Sequence, residues 1–253
     1  MKSDLQKRTV LVTGGGRGIG AACSLLCASQ GWAVAVNYTH DVAAAQSVVE
    51  RIRTTGGTAL AVQADVADEA QVLALFATMD RELPPLGGLI NNAGVVDVAC
   101  RVDAMSVQRL QRMFAINVFG SFMCAREAVK RMSTLHGGPG GAIVNVSSVA
   151  AQLGSGGLYV DYAASKGAID TFTKGLALEV AAEGIRVNAV RPGIIETEIH
   201  ASGGQADRVR QITPQLPMKR AGSADEVAQA IVWLLSDAAS YSTGAILNVS
   251  GGR

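Results

Sequence analysis

Seven short apolar runs recur along the chain, at residues 10–12, 33–36, 59–62, 89–90, 142–146, 185–190 and 245–249. Most lack the alternating polar residues of a strand with one wet face. A strand that is apolar on both faces is covered on both, which calls for a parallel sheet between two layers of helices. The intervening stretches have helical character and predict helices over 20–29, 41–55, 68–82, within 106–133, and over 161–182 and 223–236. Gly31, the Gly56-Gly57 pair and Pro84-Pro85 stand where such helices must stop. The expected architecture is α/β: a doubly wound parallel sheet of about seven strands with helices on both faces. No linker composition and no internal repeat interrupts the pattern, so residues 1–253 read as a single domain.

Charge narrows the partners. The 22 Lys and Arg residues nearly cancel 21 Asp and Glu, leaving +1, with no basic block. That excludes nucleic acid and an anionic membrane surface as expected partners. No run approaches the ~20 apolar residues of a membrane span, and residues 1–8 lack the apolar core of a secretory leader. Cys23 and Cys27 share a helix face, but no His or further Cys stands at ligand spacing, so they are expected to pack in the core and no metal is expected. Free cysteines fit a reduced, cytoplasmic protein.

The first apolar run ends in Thr13-Gly14-Gly15-Gly16-Arg17-Gly18-Ile19-Gly20, which opens the first helix. Glycines there permit a sharp turn and let a pyrophosphate approach the backbone, while the helix N-terminus offers free N–H groups. A dinucleotide is the expected ligand. The turn lacks the Gly-Lys-Ser/Thr ending of an ATP phosphate loop. After the second run comes Asn37-Tyr38-Thr39-His40, with no carboxylate to repel a 2′-phosphate, and Arg17 can reach the same ribose. This favours NADP(H) over NAD(H). The competing reading makes Arg17 a solvated turn residue and Asn37 a loop cap.

Tyr162 and Lys166 stand one helical turn apart. Ser147-Ser148 ends the fifth run, Asn91-Asn92-Ala93-Gly94 ends the fourth, and Asn117 lies in the helical region between them. An open parallel sheet puts its site at such strand ends. With Thr13 to Gly20, Asp65-Val66, Pro192-Gly193 and Thr197, these motifs resemble those of the short-chain dehydrogenase/reductase family over essentially the whole chain. The nearest likeness is to the bacterial 3-oxoacyl-carrier-protein reductase and glucose dehydrogenase-like branch. The resemblance implies a Rossmann fold of seven parallel strands, a nicotinamide cofactor and a homotetramer. It implies that Tyr162 is the catalytic acid or base and that Ser148 holds the substrate oxygen. Lys166 would lower the Tyr162 pKa, and Asn117 would steady a water beside Lys166. Gly14, Gly18, Ile19, Gly20, Tyr38 and Thr39 are further expected cofactor contacts, as are Tyr162 and Lys166. Asp65 and Val66 are expected at the adenine, Asn91, Ala93 and Gly94 at the ribose and nicotinamide side, and Pro192, Gly193, Ile195 and Thr197 at the carboxamide and phosphates.

The stretch Leu158-Tyr159-Val160-Asp161 makes the serine-to-tyrosine interval about one residue longer than is usual in such reductases. Tyr159 then either lines the pocket or packs at an interface. A lid is expected around residues 194–216. Its Glu196 and Glu198 argue against an acidic carrier protein, while Arg208, Arg210, Lys219 and Arg220 argue the other way. His200 is expected to face solvent. The reading that results is an NADP(H)-dependent oxidoreductase moving a hydride between nicotinamide and a small, polar carbonyl or secondary alcohol. A 3-oxoacyl-carrier-protein reductase is the first alternative, and a non-catalytic NADP(H)-binding sensor the second.

Overall fold

The computed structural model describes residues 8–197, 204 and 207–253. Its seven strands are β1 (Thr9–Val12), β2 (Ala33–Tyr38), β3 (Ala59–Gln63), β4 (Leu86–Asn91), β5 (Gly141–Val146), β6 (Ile185–Pro192) and β7 (Ile246–Val249). They form one parallel sheet in the order β3-β2-β1-β4-β5-β6-β7. The chain winds outward from β1 to β3, then crosses back to β4 and winds the other way. The reversal between β1 and β4 opens a crevice above the carboxyl ends of those strands, where open α/β sheets bind their ligands.

Successive residues of each strand feed two separate cores. Val10, Val12, Val34, Val36, Ile90 and Val144 face one layer, packed by α1 (Gly18–Ser29), α2 (Val42–Thr54) and Ala224–Leu235, the last long helix. Leu11, Ala35, Leu89, Ile143 and Val187 face the other, against α3 (Glu69–Glu82) and the helices that follow β4 and β5. Cys23 and Cys27 are fully buried in the first core, and burial pushes the Cys27 thiol up to about 12, so both act as small apolar groups.

Some boundaries differ from the sequence expectation. β4 begins at Leu86, because Gly87 and Gly88, which mask the strand in sequence, leave room for neighbours: a Cβ on Gly88 would lie 3.2 Å from the Val10 side chain. The helical region within 106–133 is three pieces: α4 (Val107–Phe114), a π-helical turn at Ala115–Phe119, and α5 (Gly120–Met132). After β5 come the short α6 (Ala150–Leu153), then α7 (Val160–Val180). Within the segment expected as a lid, Arg208–Ile212 forms α8, and beyond it Ala224–Leu235 is α9. Glu198 and His200 lie outside the described residues.

Candidate active site

The crevice is closed at its base by side chains that tie β1 to β4. The Thr13 hydroxyl accepts N–H bonds from Asn92 (2.9 Å) and Ala93 (3.0 Å), and Asn92 Nδ2 donates to the carbonyls of Thr13 (2.9 Å) and Gly14 (3.1 Å). The glycine turn is thereby held against the segment after β4. Gly14 and Gly18 have φ of +61° and +50°, a region that favours glycine, and a Cβ on Gly20 would lie 2.2 Å from the Gly14 carbonyl oxygen. No side chain caps α1, whereas α2, α3, α4 and α9 are capped by Asp41, Asp68, Ser106 and Ser223. A helix N-terminus that its own N-cap side chain leaves uncapped, behind a shallow glycine cradle, fits a pyrophosphate.

Above the ends of β4 to β6 lies a cleft with a cavity of about 150 Å³. Ser148, Tyr162 and Lys166 line one part of it, with Gly94, Pro192, Gly193, Ile195 and Thr197 around them. Ser148 hydrogen-bonds the Tyr162 phenol, and Lys166 Nζ donates to the Val146 carbonyl at 2.8 Å while lying 5.7 Å from the centre of the Tyr162 ring. Burial pushes the Tyr162 phenol above its usual value, with the Ser148 bond pulling the other way. The expected lowering by Lys166 is therefore corrected: in the protein by itself, desolvation is the larger effect. Burial also takes the Lys166 ammonium down to about 8, against the opposing pull of Asp170. Asp170 is itself paired with Arg191 at 2.7 Å.

Asn117 sits in the π-helical turn, a backbone irregularity common at functional sites. Its Oδ1 accepts from Val95 N (2.8 Å), and its Nδ2 donates to Val95 O (3.0 Å) and Ser165 Oγ (3.1 Å). The side chain is thus a strut between the loop after β4 and α7. Gly94 lies between Asn117 and Lys166, since a Cβ there would be 3.4 Å from both Asn117 Oδ1 and Lys166 Nζ.

The distal end of the cleft is built by the stretch before Tyr162. Tyr159 lines the cleft and is only 6% exposed, which decides between the two sequence alternatives. Asp161 is fully buried and takes two bonds from Arg109, at 2.7 and 3.2 Å, and a third Arg109 nitrogen donates to the Val98 carbonyl at 2.6 Å. Cys100 N donates to the Leu158 carbonyl at 2.9 Å. The loop after β4, α4 and the first turn of α7 are clamped together beside Tyr162.

A phenol, a hydroxyl and an ammonium converging beside a dinucleotide cradle are the parts of a hydride-transfer site, and comparison with known proteins agrees. A family model described as Enoyl-(Acyl carrier protein) reductase matches residues 14–253. The chain belongs to the short-chain dehydrogenase/reductase family. It is 58% identical to the uncharacterized oxidoreductase YgfF of Escherichia coli, over 96% of this chain and 98% of that one. It is 38% identical to glucose 1-dehydrogenase 2 of Bacillus subtilis, over 100% of this chain and 96% of the relative. A short-chain dehydrogenase from Burkholderia cenocepacia, solved in complex with NADP, superposes with a TM-score of 0.90 at 30% identity, covering 98% of both chains. The protein is an oxidoreductase of this family, with a nicotinamide cofactor.

Within this short-chain dehydrogenase/reductase, several expected contacts are not where the sequence suggests. Asn37 is corrected: it is buried, its Oδ1 accepts from Gly14 N at 3.2 Å, and its Nδ2 donates to the carbonyls of Val62 and Ala64 at 3.3 and 3.0 Å. It caps the glycine turn. Asn91 is corrected too: its Nδ2 donates to Ser121 O and Asn145 Oδ1 inside the fold, and Asn92 is the residue that lines the cleft. Asp65 accepts from Ala67 N at 2.9 Å, and α3 is capped by Asp68 instead. Val66 is buried against Gly120, and Ala93 is held by Thr13. Ile19 lines the cleft. Sequence reasoning missed Leu153, Ser155 and Arg253 as lining residues, and no motif marks them.

Removing one partner of a buried, hydrogen-bonded ion pair strands the other, at a cost of about 3–5 kcal/mol. Asp161→Leu is expected to lower stability by that amount in denaturant unfolding. Arg109→Met combined with Asp161→Leu should recover most of it. A single variant as stable as wild type would refute the clamp.

Proposed function

We propose that this protein is an NADP(H)-preferring reductase of a small carbonyl compound, with Tyr162 as the proton donor. The observation that carries the reading is the half-buried Tyr162 phenol, which lines the cleft, is hydrogen-bonded to Ser148 and is raised further above its usual value by desolvation. A protonated acid suits reduction at neutral pH. A nicotinamide cofactor held in the glycine cradle would supply the hydride. Ser148 and Tyr162 hold the substrate oxygen, Tyr162 gives it a proton, and Lys166 orients the cofactor ribose and supports the phenolate left behind. Asn117 keeps Val95 and Ser165 in place, with Oδ1 beside Lys166 as the seat for a relaying water.

The preference for NADP(H) rests on Arg17 and on the absence of a carboxylate in Tyr38 and Thr39, with Asn37 withdrawn into the fold. One dinucleotide-binding unit with a lid around 194–216 accounts for the chain. A homotetramer is supported by exposed apolar groups on α5 and α7: Phe122 stacks on Phe172 at 3.7 Å while remaining 45% exposed, and Leu178 stands 84% exposed. A cytoplasmic setting fits the free cysteines. No described helix is long and apolar enough to cross a membrane.

The matching family model's description favours a second reading, a carrier-protein-dependent reductase. Against that, Arg210 pairs with Asp207 and Arg220 with Glu226, which removes two of the four cations the sequence offered to an acidic carrier. The sensor reading is weakened by the intact set of Asn117, Ser148, Tyr162 and Lys166.

Tyr162→Phe should lower kcat by about 10²–10⁴-fold while NADPH still binds, measured by turnover and by NADPH fluorescence. Near-normal turnover overturns the mechanism. Arg17→Ala should raise KM for NADPH about tenfold with little effect on NADH. Equal effects on the two cofactors would place 2′-phosphate recognition elsewhere. The Lys166 ammonium loses its proton as pH rises through about 8, so NADPH affinity should fall across that pH. Affinity that is flat or rises there contradicts an ammonium at the ribose.

A further inference from the structure

The helix that carries Tyr162 and Lys166 has a further buried charge. Asp170 stands one turn beyond Lys166 on α7 and is 7% exposed. One of its oxygens, Oδ2, accepts from Arg191 Nε at 3.0 Å and from Arg191 Nη2 at 2.7 Å. The other, Oδ1, is buried with no hydrogen-bond partner among the described residues. Arg191 is fixed in turn by its strand. It lies on β6 between Val190 and Pro192, whose carbonyls accept from Ser147 N at 2.8 Å and Val149 N at 3.1 Å. Those two bonds pin the backbone on either side of Ser148. The pair therefore joins the helix of Tyr162 and Lys166 to the strand end on which Ser148 rests.

The charges around this helix leave Asp170 as the group that acts on the lysine. Asp161, in its first turn, gives both oxygens to Arg109, and Arg112, also on α4, pairs with Asp97. β5, α6 and the π-helical turn carry no titratable side chain. Across the cleft stand Arg208 and Arg253, and Lys174, a turn beyond Asp170, is exposed. Glu183, past the far end of α7, takes the Ser133 hydroxyl. Asp170 gives its counter-ion only one oxygen, so its charge is less completely spent than that of Asp161 and reaches Lys166 through a medium poor in water.

We propose that Asp170 is a positioning residue of the reaction: held by Arg191 one turn from Lys166, its carboxylate keeps the lysine an ammonium and so keeps it on the cofactor ribose. This rests on the proposed role of Lys166 and adds the group that sustains it. Burial by itself draws the lysine toward its neutral form, and Asp170 opposes that. A neutral amine would lose the charge-assisted bonds to the ribose and would not support a phenolate on Tyr162. Asp170 thus extends, on the alkaline side, the range of pH over which the site works.

The test is an NMR titration of isotope-labelled lysine Cε, with the Lys166 signal assigned by its loss in Lys166→Met, beside NADPH fluorescence titrations over the same pH range. Asp170→Asn should lower the Lys166 midpoint by about half a pH unit or more, and NADPH affinity should start to fall at correspondingly lower pH. Arg191→Met, which leaves the carboxylate without its counter-ion, should raise the midpoint. Opposite signs are the mark of charge, since a loosened fold would move both variants the same way. If either single variant fails to fold, Asp170→Asn combined with Arg191→Met strands neither partner, and its midpoint should still lie below that of wild type. The inference is overturned if Asp170→Asn or the double variant leaves the midpoint in place or raises it, or if the two single variants shift it in the same direction. Wild-type NADPH affinity that does not follow the Lys166 midpoint overturns the ribose role of Lys166 instead, because the midpoint is read on the protein without cofactor.

Discussion

The Thr13 hydroxyl accepts two main-chain N–H bonds from beyond β4 and donates to the Ile90 carbonyl, and the Asn92 amide returns two bonds to the turn after β1. Those bonds span the place where the winding of the sheet reverses. Without them the glycine turn and the loop after β4 would be two independent loops over an open seam. With them, the cradle at the head of α1 and the wall that carries Gly94 are one surface. Asn37 extends the brace to β3, reaching Gly14 on one side and Val62 and Ala64 on the other. Among the polar side chains at the sheet end, Thr13 and Asn37 are buried braces, Asn92 both braces the turn and lines the cleft, and Ser148, Tyr162 and Lys166 line the cleft.

Desolvation governs the reactive groups. It raises Tyr162 and lowers Lys166, so both shift toward their neutral forms. Asp170, paired with Arg191 one turn beyond Lys166, opposes the shift of the lysine. In the proposed mechanism the chemistry starts from a neutral phenol beside an ammonium that titrates near 8, and a bound cationic nicotinamide would move the balance toward phenolate.

The sheet was legible because strands buried on both faces leave an unbroken apolar trace, as in Val10-Leu11-Val12. Glycines hid the start of β4, since Gly87 and Gly88 carry no apolar signal although both are buried. Tyr162, Lys166 and Ser148 were legible by motif and spacing. Asn37 and Asn91 were read as ligand contacts because an amide has the same sequence signature whether it braces backbone or faces a cofactor; only burial tells them apart. Arg208 stood in a crowd of cations, and sequence could not show that it, of Arg208, Arg210, Lys219 and Arg220, is the one that lines the cleft. The π-helical turn at Asn117 has no sequence signature in an otherwise ordinary helical stretch.

The Arg109–Asp161 clamp makes the two sides of the substrate end unequal. On one side, Val98, Cys100, Leu158 and Asp161 are fastened to one another by ion pair and main-chain bonds. On the other, α8 reaches the cleft through Arg208 on a helix of only five residues. Anyone remaking the enzyme for a different molecule would find the clamped wall intolerant, because enlarging it disturbs the helix that presents Tyr162. Variation at α8 touches that helix only where Arg208 lies over Tyr159. The short helix is the part of the molecule where new substrates can be acquired without dismantling the chemistry.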